Sequence, residues 1–178
     1  ARLAPIAKKL GYPEDWRLAN VPAEDLLPRP KLDSLGPVHW TPPAAKPFDL
    51  PDQNKKSVSL SDYQGKPFIL VFYLGAGCLH CTEQLTAMAD RYPEFEKAKL
   101  PILAISTDNV ADLKISQDNY EKGTIPFPLI SDEKKDVFKA YTAHDDFETQ
   151  PLHGTFVIDG KGRVLWTDIS ADPFSLKL

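Results

Sequence analysis

The chain has 178 residues, 42% of them hydrophobic, which is enough to bury one sizeable core and leave an extension. Its formal net charge is only −4 and it holds no basic run, so nucleic-acid binding has no electrostatic footing. The longest apolar stretch, Phe68 to Leu79, is broken by glycines and falls short of the ~20 residues a membrane helix needs, so the chain reads as soluble with no membrane span.

Ten of the seventeen prolines lie at or before Pro51, and segments such as Pro28-Arg29-Pro30 and Pro42-Pro43 suit neither a helix interior nor a central strand. Residues 1–47 therefore read as a Pro-rich N-terminal extension and residues 48–178 as the main domain. Within the extension, short helices are expected over Leu3–Leu10 and Ala23–Leu27, with Trp16, Val38 and Trp40 docking onto the domain. The chain opens with Ala1 rather than Met, and no helical period marks Thr167 to Leu178; processing, trimming and excision from a longer protein all fit.

From Phe48 the pattern becomes regular. Phe48-Asp49-Leu50 and Ser57-Val58-Ser59-Leu60 flank a polar turn and predict an N-terminal hairpin. The unbroken run Phe68 to Tyr73 suits a strand buried on both faces. Leu85, Met88, Ala89, Tyr92 and Phe95 recur at helical spacing, so an amphipathic helix follows, disturbed by Pro93. Ile102 to Ile105 is a second buried strand, and Asp108 or Asn109 caps a helix running from Val110 to about Lys122. Phe127 to Ile130 is a third, and Asp132 precedes a helix through Val137, Phe138 and Tyr141. Asp132-Glu133-Lys134-Lys135 and Asp145-Asp146 read as solvated charge. Thr155 to Ile158 and Arg163 to Trp166 flank Asp159-Gly160-Lys161-Gly162, a hairpin with glycines where positive φ is needed. The order β-β-β-α-β-α-β-α-β-β defines an α/β fold: a central mixed sheet flanked by helices, with right-handed crossovers and an antiparallel edge.

Cys78 and Cys81 are the only cysteines, and Cys78-Leu79-His80-Cys81 joins the strongest strand to the first long helix. Backbone N–H groups at a helix start stabilise a thiolate, the reactive form of cysteine, and two thiols at this spacing can close a disulfide. That is a reversible two-electron switch at the carboxyl end of a central strand, where open α/β sheets place their sites. Structural zinc needs about four ligands, and His39, His144 and His153 are isolated in the sequence. A purely structural disulfide over so short a loop gains little chain entropy, and two inert buried thiols fit a helix start poorly.

Residues 48 to about 170 resemble the redoxin domain of the thioredoxin superfamily, in its peroxiredoxin branch (alkyl hydroperoxide reductase and thiol-specific antioxidant). The resemblance is carried by Phe48-Asp49-Leu50-Pro51-Asp52, Val58 to Tyr63, Leu70-Val71-Phe72-Tyr73, Ile105-Ser106-Thr107-Asp108, Phe127 to Asp132 and Gly154 to Asp159. It implies a thioredoxin-like fold and an antioxidant thiol enzyme. In the family's P-x-x-x-T-x-x-C motif, Cys81 falls at the peroxide-attacking cysteine, Cys78 at the threonine and Leu74 at the proline. The family's arginine before Gly-Thr-Phe is His153 here. Thioredoxins instead attack with the first cysteine of C-x-x-C, which would be Cys78, and carry a cis-proline near His153, with Pro151 slightly ahead.

The site is thus expected to be a hybrid: a peroxiredoxin-like scaffold with a thioredoxin-like dithiol. Cys78 and Cys81 are the expected catalytic pair, attacking a peroxide through Cys81 or a protein disulfide through Cys78, without a cofactor. His80 is expected to stabilise a thiolate and make the pair more oxidising, and His153 to carry a proton. Glu83 and Gln84 suit either a hydrogen bond near the site or a solvated helix face. The expected partners are the substrate, a thioredoxin-type or other thiol reductant, and a second copy in a homodimer. The alternative is a Cu(I)-binding, metallochaperone-like redoxin using Cys78, Cys81 and His153. Two cysteines suit a cytoplasmic or an extracytoplasmic setting, and the start at Ala1 leans toward an extracytoplasmic chain or part of a longer protein.

Overall fold

The apolar run 68–73 forms the middle of the sheet because both of its faces are covered. In this computed structural model, which describes Lys9 and residues 41–172, β3 (Phe68–Tyr73) is buried at every position. Phe68, Leu70 and Phe72 join one core with Phe138, Tyr141 and Phe156, while Ile69, Val71 and Tyr73 join a second with Leu85, Met88 and Leu113. The period of two in a strand thus splits one continuous apolar segment between two cores.

Ahead of it lie β1 (Asp49–Pro51) and β2 (Ser57–Ser59), an antiparallel pair, and a 3-10 turn over Leu60–Tyr63. After it come α1 (Leu79–Asp90), α2 (Tyr92–Lys97), β4 (Ile102–Ser106), α3 (Val110–Asp118), β5 (Leu129–Ser131) and α4 (Asp136–Ala140). A short pair, β6 (His144–Asp145) with β7 (Gln150–Pro151), precedes β8 (His153–Ile158) and β9 (Val164–Ser170). The sheet order is β5-β4-β3-β8-β9: β3, β4 and β5 run parallel, and β8 is antiparallel to both β3 and β9. The mixed sheet expected from the sequence is therefore present.

Preceding chain meets both edges of the sheet, the β5 edge and the start of β9, which limits exposed strand edge. Asp52 bridges Ile130 on the β5 edge, and Gln53 exchanges hydrogen bonds with Leu129 there. Residues 43–45 run beside the start of β9: Val164 N–H donates to the Pro43 carbonyl and Ala45 N–H to that of Gly162. A compact unit begins at Thr41. The helices expected over Leu3–Leu10 and Ala23–Leu27, and the docking of Trp16, Val38 and Trp40, lie outside the described residues.

Several expected boundaries move, each for a local reason. The helix around Pro93 is two helices, because Arg91 leaves helical geometry and the proline serves the first turn of α2. The next helix, α3, ends at Asp118 rather than near Lys122, where the buried Gln117 donates to the Ile125 carbonyl and the chain turns back into the core. The third strand is shifted from Phe127–Ile130 to Leu129–Ser131, since Pro128 has no N–H for the ladder and contributes only its carbonyl, to Ala104. Asp132 is not solvated. It is buried, and its carboxylate accepts from the Asp136, Val137 and Phe138 N–H groups that open α4. Among the described residues no helix is long and apolar enough to cross a membrane.

Candidate active site

The carboxyl end of β3 delivers the chain to the N-terminus of α1 through Leu74-Gly75-Ala76-Gly77, and the two thiols sit on that first turn. Cys78 is the N-cap of α1, with extended backbone and a sulfur that accepts the Cys81 N–H at 3.3 Å. It fills the role usually taken by a serine or aspartate. Cys78 is half-buried, whereas Cys81, one turn in and facing the sheet, is fully buried in the second core. Both thiols are free.

The third member comes from β8. Antiparallel pairing sets Gly154 opposite Phe72, so the preceding residue, His153, stands at the end of β3 on the face that α1 covers. A Cβ at Gly154 would lie 2.9 Å from the Phe156 ring and 3.4 Å from Phe72, so glycine is what lets the strands close there. His153 Nε2 lies 3.2 Å from Cys81 Sγ and 3.8 Å from Cys78 Sγ. Its Nδ1 lies 2.8 Å from the Ala171 carbonyl. A carbonyl only accepts, so Nδ1 carries the proton and Nε2 presents its lone pair to the sulfurs.

Burial sets the protonation. The Cys81 thiol is pushed up to about 12, first by loss of water and then by the Cys78 side chain; the backbone at Leu74 and Gly75 pulls the other way. Leu74 N–H points at Cys81 Sγ from 3.3 Å. His153 is held below the ordinary imidazole value, chiefly by burial, against the Ala171 carbonyl and the charge of Asp172. The resting site is therefore a neutral thiol facing a neutral imidazole. Such a pair can pass one proton from sulfur to nitrogen without bringing charge in from outside.

Of the residues singled out in the sequence, the fold brings together Cys78, Cys81 and His153, whose donor atoms all lie within 4.8 Å of one another. His80 is turned to solvent, its side chain 70% exposed and its Nδ1 3.4 Å from Glu83. Glu83 lies on that outer face, while Gln84 is buried on the inner one. Sequence reasoning missed the Leu74 N–H, the Ala171 carbonyl and the pair Thr107 and Asp108. Asn109, not Asp108, caps α3 by accepting from Asp112 N–H; Asp108 turns away and accepts the Ala76 N–H at 2.8 Å. The segment Ile105 to Asp108 stood out as a strand end, a candidate helix cap and part of a resemblance, but not as a site, because its partners lie across a strand and no spacing rule reports them.

An α/β redoxin whose sheet is covered on both faces, with a dithiol and a histidine at one end of β3, is the class that this geometry defines. Residues 43–167 match the model of the AhpC/TSA family, and the chain belongs to that family. Chloroplastic peroxiredoxin Q of Triticum aestivum is 40% identical over 118 residues, which are 66% of this chain and 53% of that protein. The chain thus spans little more than half the length of that relative. Among solved structures, peroxidoxin BcpB from Mycobacterium tuberculosis matches with a TM-score of 0.66 and 28% identity, over 73% of this chain and 85% of that one. A mutant of Xanthomonas campestris peroxiredoxin Q matches at 0.59 and 25%, over 68% and 80%. These relatives lend no support to the copper-delivery alternative, although two thiols and an imidazole are donors that suit a soft cation.

Proposed function

We propose that the protein is a thiol peroxidase in which Cys81 attacks a hydroperoxide and Cys78 closes a disulfide with it. The observation that carries this reading is the His153 imidazole, 3.2 Å from Cys81 Sγ with its tautomer fixed by Ala171. The Cys81 proton passes to Nε2, the sulfur attacks one peroxide oxygen, and the O–O bond breaks. The imidazolium returns the proton to the departing oxygen as it leaves as alcohol or water. Cys81 is then a sulfenic acid. The Cys78 thiol displaces its hydroxyl as water, the Cys78–Cys81 disulfide forms, and a thioredoxin-type or other dithiol reductant restores both thiols at the cost of its own oxidation.

A second reading, reduction of protein disulfides, draws support from the other sulfur. Cys78 is the more exposed of the two and sits at the helix N-terminus, so it is the thiol a bulky disulfide can reach. Separate Cys78→Ser and Cys81→Ser variants, assayed against hydrogen peroxide, an alkyl hydroperoxide and a protein disulfide, distinguish the two. On the peroxidase reading Cys81→Ser abolishes peroxide consumption, while Cys78→Ser still consumes one equivalent and stops as a sulfenic acid that dimedone traps. Peroxide consumption that survives in Cys81→Ser and disappears in Cys78→Ser would overturn it.

A further inference from the structure

The loop that feeds the dithiol is fastened from the neighbouring strand rather than by its own sequence. Thr107 Oγ1 donates to the Leu74 carbonyl at 2.9 Å, and Asp108 Oδ2 accepts the Ala76 N–H at 2.8 Å. Gly75, between these two anchors, has φ +112°, and a Cβ there would stand 2.2 Å from Asp108 Oδ1, so the carboxylate lies directly against the loop. The anchors are themselves braced. Asp108 N–H donates to Ser106 Oγ at 2.9 Å, and Ser131 Oγ donates to the Asp108 carbonyl at 2.6 Å. Ser106 and Ser131 are buried register partners at the ends of β4 and β5, which accounts for two hydroxyls in an otherwise apolar part of the sheet.

The consequence lies at Cys81. Leu74 turns its carbonyl toward Thr107 and its N–H toward the Cys81 sulfur, so fixing one end of the residue aims the other. A buried sulfur that must become negative has few sources of stabilisation, and an oriented backbone N–H costs no reorganisation when the charge arrives. We propose that Thr107 and Asp108 are positioning residues that latch the Leu74–Ala76 loop so that its backbone N–H stabilises the Cys81 thiolate. The latch rests on the reading of Cys81 as the peroxide-attacking sulfur. Asp108 meets the loop as a hydrogen-bond acceptor from Ala76 N–H, and burial raises its carboxyl, so the neutral amide of asparagine is a close substitute.

The test uses the Cys78→Ser protein, in which Cys81 is the only thiol, with iodoacetamide and hydrogen peroxide as separate probes at neutral pH. Thr107→Val and Asp108→Ala are expected to slow the alkylation of Cys81 about five- to tenfold, the net effect of losing one ordinary hydrogen bond. Thr107→Ser and Asp108→Asn, which keep the donor and the acceptor, are expected to stay within about twofold of the parent. In the Cys81→Ser background the same substitutions should leave Cys78 alkylation within about twofold. An unchanged Cys81 rate in Thr107→Val, equal slowing in the conservative variants, or equal slowing of both sulfurs would each overturn the latch. Should Asp108→Ala fail to fold, the Thr107→Val and Thr107→Ser pair decides alone. Failure of the parent Cys78→Ser protein to react with peroxide would sink the peroxidase reading, while iodoacetamide would still judge the latch.

Discussion

Two aspartates hold turns at opposite ends of the sheet, and the fold uses them in opposite ways. Asp159, in the β8–β9 turn, gathers the N–H groups of Lys161 and Arg163 at 2.9 and 2.8 Å and the Arg163 guanidinium at 2.8 Å. The Arg163 N–H, then its side chain, hold that carboxyl below the usual carboxylate range. Asp108, at the dithiol end, reaches from beyond β4 to the loop after β3, and burial raises its carboxyl instead. The first turn is closed by neighbours in sequence and serves stability. The second is closed across the sheet, with a partly desolvated acid, and fastens the loop that leads to the thiols.

The sharpest way to break this contrast is to remove the imidazole at the dithiol end. His153→Gln keeps a polar side chain but no proton carrier, and should lower the rate of peroxide reaction about a hundredfold while Tm changes little. The pH profile gives the same information in the unaltered protein. Burial holds the folded pKa of His153 below its ordinary value of about 6.5, so the neutral, accepting form persists as pH falls through that value and disappears only below it. The second-order rate constant with peroxide should therefore stay level from mildly alkaline pH down past the ordinary imidazole value, then drop. A rate constant already halved above pH ~6.5 would mean that another group governs the reaction.

Two glycines give a matched comparison of smaller effect. Gly75 and Gly162 both have positive φ, +112° and +71°, but only at Gly75 would a Cβ meet anything within 4 Å, namely Asp108. Gly75→Ala and Gly162→Ala should each cost about 1–2 kcal/mol in denaturant unfolding, the cost of a side chain in the left-handed region. Gly75→Ala should also slow Cys81 several-fold by pushing Asp108 off Ala76 N–H, while Gly162→Ala leaves the rate constant of the folded protein unchanged. Equal loss of rate in both would erase the distinction between the two ends.

The same contrast explains what could be read from the sequence. Asp159-Gly160-Lys161-Gly162 announces its turn through adjacent residues, and the run from Phe68 to Tyr73 announces a doubly covered strand through composition alone. Cys78 and Cys81 were legible because their spacing and their place after that strand are both local. His153 was legible only through resemblance: its approach to Cys81 depends on the β3–β8 register, and its tautomer depends on a carbonyl beyond β9. Thr107 and Asp108 show the limit. Asp108 beside Asn109 offered two equivalent helix caps, and only the parallel pairing of β3 with β4 brings one of them to Ala76. Asp132 failed for a related reason: its charged neighbours suggested solvent, while three N–H groups of α4 make its burial tolerable.

Asp159→Ala tests the stability end alone. A carboxylate whose folded pKa is depressed contributes stability above its unfolded value of about 3.9, and loses it as pH falls through the lower folded value. The variant should therefore melt below the parent at neutral pH, and the gap should close in strong acid, with peroxide kinetics of the folded protein unaltered. A gap that persists unchanged in acid would assign the loss to packing rather than to the charged carboxylate.

The smallest effect belongs to His80, although the sequence places it between the two cysteines. Its side chain is 70% exposed, and its nearest charged partner is Glu83 at 3.4 Å, so solvent and a carboxylate both damp any field it exerts on the sulfurs. His80→Ala should therefore move the reduction potential of the Cys78–Cys81 couple by less than ~10 mV, measured against a glutathione buffer. The expected sign is a fall, since removing a polar group that can hydrogen-bond a thiolate favours the disulfide. A shift of ~30 mV, equivalent to ~1.4 kcal/mol, would instead require His80 to leave Glu83 and approach a sulfur. In that event control of the couple would pass from the loop and β8, where buried N–H and imidazole groups are already aimed, to the outer face of α1.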